Sequence, residues 1–243
     1  MTHPFELITE LPLEATPEQV WQAIATGPGF DAWFMGRSEI EAHEGGKADL
    51  VMLGHRESAT ITAYEPNQRF ASRTEEGPDG QFMAFEYLIE AAKGGTSVLR
   101  IVHNGMLGDD WETEFEAMKA GSGIYHATLV EYLAHFFGRS PSVVTVFRPG
   151  AADPDTAWKI LTTALALPAS PAEGDTATLP GGEQGTVFYT NLPVNLGIRT
   201  PFGLYRFIHS GADRGNVVVQ GHQRFDGRDD QPLWDTWTTT LFP

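Results

Sequence analysis

The sequence predicts an α+β protein: a curved antiparallel sheet around a long helix that closes the first module, in tandem with a smaller, degenerate α+β module. Three observations carry this reading. Between residues 47 and 106, several short segments alternate apolar and polar residues and are separated by turn-rich breaks, the pattern of an antiparallel meander with one buried face. Ser122 to Phe137 places Tyr125, Leu129, Tyr132, Leu133 and Phe136 at spacings of three and four, with Thr128, Glu131 and His135 opposite, which predicts an amphipathic helix with an aromatic face. A strand followed by a proline-started helix with a tryptophan occurs twice.

Taken in order, Phe5 to Leu13 alternates weakly and predicts an opening strand. Thr16-Pro17-Glu18 then marks a helix start: a hydroxyl for the free N–H groups, a proline at the first helical position and an acid in the first turn. Val20, Trp21, Ile24 and Ala25 follow at helical spacing until Gly27-Pro28-Gly29; Trp21 is read as core, and Phe30, Trp33 and Phe34 form an aromatic knot at one end of the sheet. Strands are expected at Lys47–Gly54, Ser58–Tyr64, Gln68–Thr74, Gln81–Ala91 and Thr96–Met106, with breaks at Glu65-Pro66-Asn67, Gly77-Pro78-Asp79-Gly80 and Lys93-Gly94-Gly95. Strand parity assigns the faces. With Glu86 and Glu90 in water, Met83, Phe85, Tyr87 and Ile89 turn inward; with Arg100 outward, so do Leu99, Ile101 and His103.

The second module begins as a partial copy. Pro154 and Trp158 repeat Pro17 and Trp21 with a displacement of 137 positions, Leu161 falls on Ile24, and Val143 to Arg148 takes the place of the opening strand. The division is therefore residues 1–139 and 140–243, with Arg139-Ser140-Pro141 as the hinge. Ala169 to Gly185 reads as loop, strands follow at Gly185–Asn191, Phe202–His209 and Asn216–Phe225, and Leu233, Trp234, Trp237 and Leu241 predict a short closing helix. With 104 residues against 139, this module is expected to hold a smaller or filled interior and to support rather than to bind ligand.

Composition bounds the function. The chain has 243 residues, 41% of them hydrophobic, and a formal charge of −16, of which −13 falls in residues 1–139 and −3 in the rest. That field repels phosphate backbones and anionic lipid, and no stretch is long and apolar enough for a bilayer span, so neither nucleic acid nor membrane insertion is expected. The absence of cysteine removes disulfides, thiolate nucleophiles and cysteine-based zinc sites, and a cytoplasmic location is expected.

The order of strand, TPEQVWQAIA, FDAWF, a meander with YEPNQRF at one turn and VLRIVHNGM on its last strand, and a long closing helix resembles the START-like or SRPBCC superfamily, the helix-grip fold. Within it the sequence is most similar to the group that resembles activators of the heat-shock protein 90 ATPase. The resemblance covers about the first 139 residues and is specific for fold. It implies a curved sheet gripping the long helix, with a cavity between them that in many relatives holds an apolar or aromatic small molecule. Some relatives are polyketide cyclases; others carry ligands or bind proteins.

Read as chemistry, the residues offer little catalytic machinery. His126 and His135 are nine apart, His209 and His222 thirteen, and there is no HExxH, so no metal is implied. Gly121-Ser122-Gly123 lacks the third glycine of a dinucleotide fingerprint, no GxSxG occurs, and no cofactor is expected. Asp109-Asp110 and Asp229-Asp230 sit in polar turns. His103 is the one catalytic candidate, an imidazole facing the cavity, although the favoured reading is a core histidine satisfied by a backbone carbonyl or a tyrosine hydroxyl; Arg206 and His222 are lesser candidates of the same kind in the second module. The candidate ligand-binding set is Trp33, Phe34, Met83, Phe85, Tyr87, Leu99, Ile101, His103, Tyr125, Leu129 and Tyr132. The expected function is binding of a hydrophobic or aromatic small molecule. The alternatives are a cyclase- or aromatase-like enzyme working without metal and a chaperone ATPase-linked protein whose acidic surface meets a basic protein partner.

Overall fold

The computed structural model describes residues 2–52 and 54–243, and the chain divides into two compact units. The first comprises the residues up to Ser122 together with Tyr132–Gly138; the second comprises Gly123–Glu131 together with Arg139–Pro243.

The first unit runs β1 (His3–Leu13), α1 (Pro17–Ile24), α2 (Gly27–Asp31), β2 (Arg37–Ile40), β3 (Lys47–Met52), β4 (His55–Glu65), β5 (Arg69–Thr74), β6 (Phe82–Ala91) and β7 (Ser97–Leu107), then enters α3 (Trp111–His135). Its seven strands lie in the order β1-β7-β6-β5-β4-β3-β2, every pairing antiparallel, so the first strand sits beside the last and the rest form a meander. Leu53, inside the strand expected at Lys47–Gly54, lies outside the described residues. The short edge strand β2 was not expected from the sequence, because four residues show too little alternation to register.

α1 forms where its start signals place it. Thr16 Oγ1 accepts from Gln19 N at 3.3 Å while Thr16 N donates to Gln19 Oε1 at 2.9 Å, a reciprocal cap. The helix buries Val20, Trp21 and Ile24, and the Trp21 ring meets Tyr64 and Phe70 edge-on at 4.9 and 6.4 Å. Trp33 is 2% exposed, and its indole N–H donates to the carbonyl of Ala23 at 2.9 Å, tying the end of α1 to the chain after α2.

The long helix differs from its expected bounds. It starts at Trp111 rather than Ser122, because the segment before Gly121 has no clean apolar period and its glycines read as a linker. Glu112 and Glu114 suit the positive end of the helix dipole, and Trp111 and Phe115 meet His3 and Phe5 of β1 at ring separations of 5.3 and 6.3 Å.

The second unit repeats the plan of the first with one strand fewer. It contains β8 (Ser142–Arg148), α4 (Pro154–Ala164), β9 (Thr176–Thr178), β10 (Gln184–Asn191), β11 (Asn195–Arg199), β12 (Gly203–His209), β13 (Val218–Arg224) and α5 (Gln231–Leu241). The sheet order is β8-β13-β12-β11-β10-β9, again with the first strand beside the last. Asp153 caps α4 by accepting from Thr156 N at 3.1 Å, the same offset of three residues as at Thr16. β9 lies inside the stretch read as loop, and β11 was missed because Pro193 and Gly197 break its pattern. Trp158, Leu161, Tyr205, Phe207 and Trp234 fill the interior.

Residues 123–131 of α3 engage this second unit. Glu131 pairs with Arg199 at 2.5 Å, the Arg206 guanidinium lies 5.0 Å from the centre of the Tyr125 ring, and Gly123 leaves space for the Tyr189 ring where a side chain would collide.

Replacing Trp33 by Phe removes the hydrogen bond to the Ala23 carbonyl within a buried setting. Trp33→Phe is expected to lower unfolding free energy by about 1–3 kcal/mol in urea titrations, with the slope unchanged.

Candidate functional site

α1 packs on β6 and β7, over the part of the sheet where Ile89, Leu99 and Ile101 are buried. Elsewhere on the first sheet a cavity of about 300 Å3 remains, open on one side. Register explains which side chains reach it. Ser38 pairs with Leu50, Ala48 with Ala59, and Ala59 with Thr74; farther along, Ser72 pairs with Phe85, Phe70 with Tyr87, and Phe85 with His103. Directly opposed residues share a face, so these pairs build one continuous wall. Phe30 and Phe34 of the α2 segment supply the remaining aromatic surface.

Asp31 holds that segment against β2. Its carboxylate accepts from Ser38 N at 2.6 Å and lies 3.9 Å from Arg37, and burial nevertheless raises its carboxyl above the usual range. Asp49, although part of the lining, falls on the opposite strand parity from Ala48 and Leu50. Its carboxylate takes Arg56 at 2.5 Å, and the Ser58 hydroxyl with that guanidinium holds it below the ordinary aspartate value. Among the described residues lining the cavity there is no lysine or arginine.

Of the residues singled out from the sequence, Phe34, Met83, Phe85, Tyr87 and His103 line this cavity. The His103 ring lies flat on Phe85 at 3.9 Å and meets the edge of Phe5 at 5.0 Å, so it forms wall. Trp33, Leu99 and Ile101 are outside the lining: Trp33 is held by Ala23, and Leu99 and Ile101 lie in the buried core. Tyr125, Leu129 and Tyr132 are also outside it. Tyr125 and Leu129 belong to the α3 turns grouped with the second unit, and Tyr132 is buried in the first without reaching the hollow. Sequence reasoning missed the outer half of the wall, with Leu50, Ala59 and Ser72. Extending the parity of β6 across its hairpin reaches Ser72, but the bulge between Ile61 and Ala63 reverses the alternation of β4, so Ala59 and Leu50 are placed on this wall only by the structure.

Arg206 and His222 are both buried structural groups. Arg206 Nε donates to the Gly221 carbonyl at 2.9 Å and Nη2 to Gln223 Oε1 at 3.0 Å, and burial pulls its pKa down to about 10. His222 Nδ1 accepts from Arg206 N at 3.2 Å, while Nε2 lies 3.2 Å from Gln220 Oε1; Gln220 in turn donates to Thr238 Oγ1 at 2.7 Å. That chain gives both nitrogens of the neutral imidazole a protein partner, a structural role. No group of three or more His, Asp or Glu is arranged to hold a metal among the described residues, and none of their helices is long and apolar enough to cross a membrane.

An antiparallel sheet with adjacent first and last strands, a helix pair after the first strand, and a hollow on one face place the first unit in the helix-grip class of α+β proteins, and the second unit repeats its strand order with a single helix after the first strand. More narrowly, residues 14–134 match the family model described as "Activator of Hsp90 ATPase homolog 1-like protein". The crystal structure of the di-domain ARO/CYC BexL from the BE-7585A biosynthetic pathway is similar at 12% identity over 98% of this chain and 93% of that one, with a TM-score of 0.50; the likeness is one of fold. A protein from Mesorhizobium loti is 18% identical over 54% of this chain and 98% of its own, with a TM-score of 0.48. The Aha1 dimer from Colwellia psychrerythraea is 17% identical over 53% and 96%, with a TM-score of 0.44. No curated protein matches the chain.

The buried histidines make stability depend on pH. Burial drops His126 to about 4, and burial with the Arg206 charge takes His222 well below its ordinary value. Both therefore bind protons more readily unfolded than folded. Their contribution is complete above pH 6.5 and is lost as pH falls from there toward 4. The melting temperature should drop between pH 7 and pH 5, and His126→Asn should reduce that drop.

Proposed function

We propose that the first module binds a neutral, predominantly apolar ring compound in the cavity of its sheet. The observation that carries the reading is the hollow itself. Its volume of about 300 Å3 stands at the lower end of the ~300–1,000 Å3 common for small-molecule sites, and Phe30, Phe34, Phe70, Phe85 and Tyr87 give it aromatic walls. A carboxylate ligand finds no lysine or arginine in the lining and meets Glu57 there, so charge selects against anions. Stacked Phe85 and His103, with Tyr87 alongside Phe85 at 6.3 Å and 12°, favour a flat ring over a flexible chain.

A neutral solvatochromic dye tests this reading. Nile red should gain fluorescence on the intact chain, and Ala59→Trp, which adds an indole to the wall, should weaken its binding at least about tenfold with a near-unchanged urea midpoint. Unaltered dye binding in folded Ala59→Trp rules out this cavity.

A second reading, a chaperone-linked interaction protein, is supported by the description of the matching family and by the charge of −13 on residues 1–139. It requires the chain to form a complex with the chaperone and stimulate its ATPase at low salt, where attraction to a basic surface is strongest. Neither complex nor stimulation under those conditions excludes it.

A further inference from the structure

The wall of the cavity contains a buried side chain, Tyr87, whose hydroxyl takes part in no hydrogen bond with the described residues. Tyr87 is 5% exposed, lines the hollow, and stands between Phe70 and Phe85 with ring separations of 6.2 and 6.3 Å. Its hydroxyl makes no hydrogen bond with any described residue, and burial raises its pKa with no opposing partner. With its ring buried and no protein partner for its oxygen, this phenol leaves its donor to whatever occupies the hollow, a role that packing alone does not require of it because Phe would fill the same space. Other hydroxyls of the wall have structural work. Thr74 Oγ1 accepts from Met83 N at 3.0 Å, and Ser38 hydrogen-bonds the Asp31 carboxylate. Ser72 is the exception: it lies on β5 opposite Phe85, one strand from Tyr87, and its hydroxyl likewise has no partner among the described residues.

We propose that Tyr87, with Ser72 beside it, is the specificity-determining contact of the cavity, donating a hydrogen bond to a carbonyl or ether oxygen on the bound ring compound. This rests on the reading that the cavity takes an apolar ring ligand, and narrows it to an acceptor-bearing one. The phenol stays protonated throughout the neutral range, so it is a standing donor. A hydrocarbon of the same shape leaves that donor unpaired, and the site discriminates against it for that reason.

The test compares 2-acetylnaphthalene with 2-isopropenylnaphthalene, a ketone and its hydrocarbon counterpart, by displacement of Nile red from the intact chain. The ketone should bind about two- to tenfold tighter, the range of one neutral hydrogen bond. Tyr87→Phe should erase that advantage while keeping the hydrocarbon affinity, and Ser72→Ala should reduce it. On the unaltered protein, the infrared carbonyl stretch of the bound ketone should move to lower frequency, a readout that needs no variant to fold. Equal affinities with an unshifted carbonyl, or a ketone preference that survives in Tyr87→Phe, overturn the proposal and leave the apolar-ring reading standing. If Nile red and both naphthalenes fail to bind, the cavity reading itself falls, and this one with it.

Discussion

The antiparallel register of β5, β6 and β7 is the constraint on which the candidate site depends. Opposed residues share a face, so pairing Phe70 with Tyr87 and Phe85 with His103 aligns four ring side chains across three strands. A slip of one residue would send Glu86 and Val102 into the hollow and every ring to the other side. The aromatic contacts along this row hold the register that creates them, with the Phe85–His103 stack at 3.9 Å at its centre.

What turns an apolar face into a cavity is incomplete cover. α1 has eight residues and buries Ile24, Trp21 and Val20, enough to seal part of the sheet. α2 has five, and its segment contributes Phe30 and Phe34 to the cavity wall. In the second unit, the corresponding β8-α4 opening precedes a sheet with one strand fewer, and Trp158, Trp234, Tyr205 and Phe207 occupy the interior. One plan thus surrounds a hollow in the first unit, while in the second these helical and strand side chains pack into one buried cluster.

The second unit holds Arg206, His222 and Arg224 in its interior by pairing each of them. His222 is read by Arg206 N on one nitrogen and by Gln220 on the other, and Arg224 is surrounded by Glu183, Asp226, Asp230 and the Tyr205 hydroxyl. Such networks cost stability when half satisfied and confer a unique arrangement when complete. Histidines and arginines that look available for chemistry in a list of residues are here the fasteners of β12, β13 and α5.

Much of the fold was legible in the residues alone. Alternation placed most strands and the inward set Met83, Phe85, Tyr87 and His103; caps at Thr16 and Asp153 placed α1 and α4; and the displaced Pro and Trp revealed the tandem plan. These are signals of backbone period and hydrogen-bond termini, which act within a few residues. Where cover ends is a different matter. Tyr125 and Leu129 carry the spacing of a face that belongs on the first sheet, yet Arg199 and Arg206, some seventy to eighty positions away, draw those turns into the second unit. Trp33 reads as cavity wall until the Ala23 carbonyl takes its N–H. An apolar residue has the same local pattern whether it faces a packed neighbour or empty space, so only the assembled structure distinguishes core from cavity.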